Sequence, residues 1–236
     1  MNNIRRYNPR LNARLRMLVA QRDHSELLAL LESLSNSDAR TAGFLLGETI
    51  LAEEVKRSED FWQMTLDVVT VNPKAYLGTF LKAARNLYKL GVLSISDESS
   101  VLEAFARQAS AIDCRKVLSA LLPVVRRPEE IAKLLRLFCE DSTKARADIL
   151  LQTATPMAYY MLFRELKALD ADKEVLRLYA VKLIKKSDPL SFNLAGIISL
   201  YFDVRDIPGR FSLHLEPYEL SRLENAPEQF LQILQS

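Results

Sequence analysis

From Pro189 to Phe202 the chain runs fourteen residues without a charge, preceded by an aspartate, Asp188, that suits a helix N-cap with Pro189 at the first helical position. A helix that is apolar or neutral around its whole circumference has to be covered by its neighbours. Spanning a bilayer takes about 20 apolar residues, and Ser191, Asn193 and Ser199 interrupt the run. It therefore reads as a core helix with other helices around it, and no membrane span is expected.

The rest of the chain offers suitable companions. Six glycines in 236 residues is well below the average of roughly 7%. Tight hairpins, phosphate loops and dinucleotide turns all depend on glycine, so its scarcity favours helices on short connections over nucleotide-binding α/β folds. Six of the nine prolines, Pro73, Pro128, Pro156, Pro189, Pro217 and Pro227, fall where an apolar helical pattern begins.

Read in order, the first helix carries Leu11, Leu15, Leu18 and Val19 on one face and Arg10 and Arg14 on another. Asp23 or Ser25 caps the second, striped by Leu27, Leu28, Leu31 and Leu34. Ser37 or Asp38 opens a third, in which Ala42, Gly43 and Gly47 permit close approach of a neighbour. A fourth follows Ser58 with Phe61, Trp62, Thr65, Leu66 and Val69 inward. The fifth, from Pro73, has Tyr76, Leu77, Phe80, Leu81, Ala84, Leu87 and Tyr88 on one face and stops at Gly91. Later helices are expected around Leu102, after Asp113, and from Pro128, Ser142, Pro156, Asp172 and Pro189. The helix from Ser142 has Ala147, Leu150, Leu151 and Ala154 inward. Beyond Phe202, Pro208 and Gly209 suit a turn, and Phe211, Leu213 and Leu215 alternate with polar residues as in a short extended piece. Two short helices from Pro217 and Pro227 close the chain.

Alternate helices begin near 10, 38, 73, 113, 143 and 172, spacings of 28 to 40 residues that suit stacked helical hairpins. The signature residues of tetratricopeptide and ankyrin repeats are missing. The expected fold is all-α: a right-handed stack of antiparallel hairpins, a degenerate HEAT/armadillo-like α-solenoid of about twelve helices. Residues 1–203 would form this repeat domain and 204–236 a C-terminal cap packed on it. A compact bundle of hairpins is the rival arrangement.

Chemistry-bearing motifs are sparse. His24 and His214 have no Cys, His or carboxylate at metal-ligand spacing, so neither a metal site nor a cofactor is expected. Cys114 and Cys139 fall on apolar helical faces, as core thiols do in a reducing compartment. The pairs Glu53–Glu54 and Glu129–Glu130 are helical neighbours that point about 100° apart and read as surface and first-turn carboxylates. No phosphate loop or nucleophile elbow is present. Trp62, Tyr159 and Tyr160 read as core or groove-lining aromatics.

Charge is the remaining signal. Residues 1–22 sum to +6, 23–67 to −7, 68–96 to +4, and the last 140 to −1. The first block is arginine-rich and free of acids, as in organelle transit peptides, but poor in serine, which favours an ordered basic helix. In the third block Lys82, Arg85 and Lys89 follow i, i+3, i+7 on the outer face of the fifth helix. Together with Arg10 and Arg14 they form the candidate binding residues, with no catalytic residue expected. The first functional reading is a non-catalytic, cytoplasmic interaction module, a scaffold that holds a protein or acidic peptide segment through a concave groove and the basic strip. The alternative is a nucleic-acid-binding HEAT-like protein, including a DNA-repair type of enzyme. Against it stand a sequence pI near 8.5 and a strip with no interleaved aromatics.

Overall fold

The computed structural model describes residues 8–53, 67–68, 71–89, 95, 99–139, 142–169, 172–209, 211 and 213–236, some of them along the backbone alone. Among these are thirteen helices and no strand. None of the helices is long and apolar enough to cross a membrane. The chain divides into two compact units, Met1–Val124 and Val125–Ser236.

The first unit contains α1 (Pro9–Gln21), α2 (His24–Ser33), α3 (Asn36–Glu53), α4 (Pro73–Lys89), α5 (Ser99–Gln108) and α6 (Ala111–Leu121). The α1 helix packs on α2 and α3, α3 lies along α4, and α4 meets α6. Leu11, Leu15, Leu18 and Val19 of α1 are buried, as their spacing predicts, and so are Leu27 and Leu31 of α2. On α3 the contact face is made of small residues, Ala39 and Ala42, with Leu46 beside them. From α4, Tyr76, Leu77 and Ala84 are buried, and the Tyr76 hydroxyl donates to the Leu31 carbonyl at 3.4 Å. Burial pushes that phenol up to about 12, which keeps it a neutral donor. The fourth helix expected from Phe61, Trp62, Thr65, Leu66 and Val69 lies outside the described residues, as does the Gly91 stop.

Two helix starts differ from expectation for one reason. Ser35 caps α3 and Ser110 caps α6, in each case with an aspartate three residues on. Each serine hydroxyl accepts the N–H of that aspartate at 3.3 Å, and each donates to its carboxylate, at 2.8 Å in Asp38 and 2.7 Å in Asp113. Asp38 and Asp113 thus sit in the first turn, where the helix dipole favours an acid. The Ser110 hydrogen bond, helped by Lys116, holds the Asp113 carboxyl below its ordinary range.

The second unit contains α7 (Pro128–Phe138), α8 (Thr143–Thr153), α9 (Pro156–Ala168), α10 (Lys173–Ile184), α11 (Pro189–Tyr201), α12 (Pro217–Arg222) and α13 (Pro227–Gln235). Two hairpins dominate it, α8 with α9 and α10 with α11. Ala154, expected inward, is instead the exposed left-handed residue (φ 54°) that ends α8 before Thr155 caps α9. All six prolines marked as helix starts occupy the first position of a helix, and Pro9 does the same for α1.

The charge-free helix α11 is sheathed. Leu194, Ala195, Ile197 and Ile198 are fully buried and only Pro189 and Leu200 are exposed. Its polar residues serve tertiary contacts: Ser191 meets Tyr159 (2.6 Å), Asn193 donates to the last-turn carbonyl of Leu234 in α13 (3.1 Å), and Ser199 donates to the Val204 carbonyl (2.9 Å). The extended piece expected at 211–215 forms no ladder among the described residues. Phe211 packs on Phe192 at 5.0 Å between ring centroids, and Leu213 lies over Gly196, so the alternation delivers side chains to α11 rather than pairing backbones. A second hub, not foreseen, is α9, buried at six consecutive positions from Ala158 to Phe163 and touching α7, α8, α11 and α13.

Candidate anion-binding surface

The α1 helix buries one leucine face and turns Arg10 and Arg14 outward, one turn apart and both exposed. Arg14 pairs with Glu26 of α2 at 3.1 Å, but each side chain stays about half exposed, so solvent screens the pair. Arg16 donates to Asn12 at 3.2 Å. Arg10 stands in the first turn of a helix that has no acid there. A cation at that end faces the positive pole of the dipole, an unfavourable placement.

On α4, Arg85 and Lys89 are exposed one turn apart, opposite the face that buries Tyr76, Leu77 and Ala84. Lys89 sits in the last turn, where the dipole welcomes a cation. The side chain of Lys82, the third member of the strip, lies outside the described residues, although its backbone belongs to α4. Both arginine and lysine pairs are carried by helices packed on α3, and a 100° turn per residue is enough to separate them from the buried stripe.

Other candidate residues resolve into packing. His24 lies 3.3 Å from Asp67 at Nε2, both groups partly exposed, and His214 is exposed. Among the described residues no group of three or more His, Cys, Asp or Glu is placed to hold a metal ion. Cys114 and Cys139 are free and half-buried. Burial, followed by the nearby Asp113 charge, pushes the Cys114 thiol up and away from nucleophilic thiolate character. Glu53, Glu54 and Trp62 fall outside what is described of side chains. Glu130, expected on the surface with Glu129, is instead 3% exposed in the first turn of α7.

Tyr159 and Tyr160 are both core residues. The Tyr160 hydroxyl donates to the Glu224 carbonyl at 2.6 Å. Tyr159 belongs to a buried polar chain: its hydroxyl meets Ser191 Oγ at 2.6 Å, Ser191 Oγ donates to Asp188 Oδ2 at 2.5 Å, and Lys186 Nζ lies 3.5 Å from the phenol while donating to the Leu151 carbonyl. Serine, tyrosine, lysine and aspartate together resemble an acid–base set. Tyr159 and Ser191 have no exposed surface, however, and burial pushes the phenol up and the Lys186 ammonium down. Burial opposes ionisation of Asp188 too, but hydrogen bonds from the Ser191 hydroxyl and amide outweigh it and hold the carboxyl below its ordinary range. The chain ties the end of α8, the first turn of α9 and the start of α11 together.

One surface feature escaped the sequence reading. On α6 the buried stripe Val117, Leu118, Leu121 is opposed by a shallow open groove of about 530 Å³ lined by Ile112, Arg115, Lys116, Ser119 and Ala120. Those five follow i, i+3, i+4, i+7, i+8, a second helical stripe that periodicity alone reveals. The presence of Arg115 and Lys116 within it hid the pattern, because a mixed stripe reads as an ordinary solvated face. No protein-family model matches this chain, and no curated protein or solved structure is similar enough to it to count as a match.

Proposed function

We propose that this chain is a non-catalytic interaction module of the cytoplasm that binds an acidic protein segment. Its ground is a degenerate HEAT/armadillo-like stacking of the hairpins, and its contact residues are Arg10 and Arg14 of α1 with Lys82, Arg85 and Lys89 of α4. The observation that carries this reading is the pair Arg85 and Lys89, exposed one turn apart on the outer face of a helix whose opposite face is core. Side chains whose basic ends remain in solvent present a charge to a partner without desolvating it first.

The reading is tested by fluorescence anisotropy of the full chain with a labelled oligoglutamate peptide across a salt series. Binding is expected at low salt, weakening as ionic strength rises, and Arg85→Glu with Lys89→Glu is expected to reduce it about tenfold or more, since like charges then face each other. A random-sequence DNA duplex serves as the competing ligand. Duplex binding with a steep salt slope and no oligoglutamate binding replaces this reading with a nucleic-acid one.

A further inference from the structure

We propose that the outer face of α6 is a docking groove for an amphipathic acidic helix, a reading that rests on the acidic-segment function and specifies the form of the segment. Three observations on one helix lead there. Ile112 is 68% exposed, the most exposed of the large apolar residues described. Arg115 and Lys116 stand one turn along from it, and Ser119 and Ala120 one turn further, lining the same groove of about 530 Å³. Ser119 and Ala120 are small, so a partner backbone approaches closely at that end, while Ile112 supplies an apolar contact at the other.

The charge on the groove decides the occupant. Lys116 pairs with Asp113 at 3.0 Å, yet its side chain is 59% exposed, and an ammonium carries three donors, leaving two for a partner. Arg115 makes no hydrogen bond or ion pair among the described residues and is exposed. One exposed isoleucine with two cations a turn away from it complements a helix that carries aliphatic residues along one stripe and glutamates beside it. A second copy of this face would bring arginine against arginine, which disfavours self-association through it. Because α4 packs on α6, the groove and the Arg85–Lys89 pair lie on neighbouring helices of one unit.

The test uses the full chain and two labelled peptides of equal charge and about 18 residues, five helical turns: plain oligoglutamate, and a glutamate-rich sequence with leucines at i, i+3, i+4 and i+7. The amphipathic peptide is expected to bind about tenfold more tightly than oligoglutamate, the gain of burying one aliphatic contact. Ile112→Ser is expected to erase that difference while leaving oligoglutamate affinity unchanged. Its exposure makes the substitution harmless to folding, which circular dichroism and thermal melting verify. Equal affinity for the two peptides, or an amphipathic preference that survives Ile112→Ser, overturns the groove and leaves the acidic-segment function standing. Failure of both peptides to bind overturns both. Binding of the amphipathic peptide alone, lost in Ile112→Ser, upholds the groove and removes the basic strip on α4.

Discussion

Ser191 shows how one residue can carry several parts of a fold. Its amide and hydroxyl both donate to Asp188, at 2.9 Å and 2.5 Å, and its oxygen meets Tyr159 at 2.6 Å with no exposure to water. Replacing it by alanine leaves the buried Tyr159 hydroxyl short of a partner, so Ser191→Ala is expected to destabilise the second unit by about 1–3 kcal/mol in urea denaturation. Asp188 adds a pH dependence whose sign follows from its depressed pKa. Its ionised form stabilises the native state, so that contribution is fully present above the unfolded carboxyl value of about 3.9 and is lost as pH falls through the lower folded value. The stability gap between the native chain and Asp188→Asn should accordingly be open at neutral pH and close in acid. Denaturation curves compared at neutral pH and near pH 3 check this, and a gap that does not narrow on acidification contradicts it.

Among the elements, α11 depends on a segment that has no regular structure. A Cβ built on Gly196 would sit 2.9 Å from Leu213 Cδ1 and 3.1 Å from Phe211 Cδ1, so the glycine is there to let Phe211 and Leu213 lie against the helix. Gly196→Ala gains about 1 kcal/mol of helix propensity but overpacks the contact by about 1–3 kcal/mol. Net destabilisation is expected. Adding Leu213→Ala should recover part of it, because the two residues touch and their effects do not add. Purely additive melting shifts in the double variant would show that the contact does not limit the helix. The same unit relies on α9, where Phe163 meets Tyr201, Phe202 and Phe230 at centroid distances of 4.8, 5.8 and 5.2 Å. Position 163 is thus the aromatic centre that joins α9 to the end of α11 and to α13.

For the whole molecule, the division into Met1–Val124 and Val125–Ser236 implies that each unit holds a core of its own. In the second, α9 and α11 are buried, α8 is tied to α9 by Arg146 and Glu165 at 3.0 Å, and Asp148 of α8 receives Tyr179 and Lys182 of α10 at 3.2 and 3.1 Å. Residues 125–236 expressed alone should therefore fold and unfold in one cooperative urea transition. A gradual, non-cooperative loss of helical signal would place part of that core elsewhere. The proposed binding surface belongs to the first unit, where basic outer faces on α1, α4 and α6 share a helix with a buried stripe, the amphipathic division that periodicity displays.

Much of the fold was legible beforehand. Glycine scarcity, proline at helix starts, and leucines at helical spacing are local properties, acting through φ restriction, capping and the angle between neighbouring side chains. They set the helical class, the first residues of six helices, and the inward faces of α1 and, Ala154 apart, of α8. Long-range contact decided the rest. The polar chain through Tyr159, Ser191 and Lys186 depends on residues 27 to 35 positions apart, and the burial of α9, despite Arg164, Glu165 and Lys167 in its C-terminal half, on partners as distant as Glu224 and Phe230. So does the use of Phe211 and Leu213 as a cover for α11 instead of a strand. Backbone preference at a residue is felt within a turn or two, whereas burial is a property of what arrives from elsewhere in the chain, and only the tertiary structure contains that.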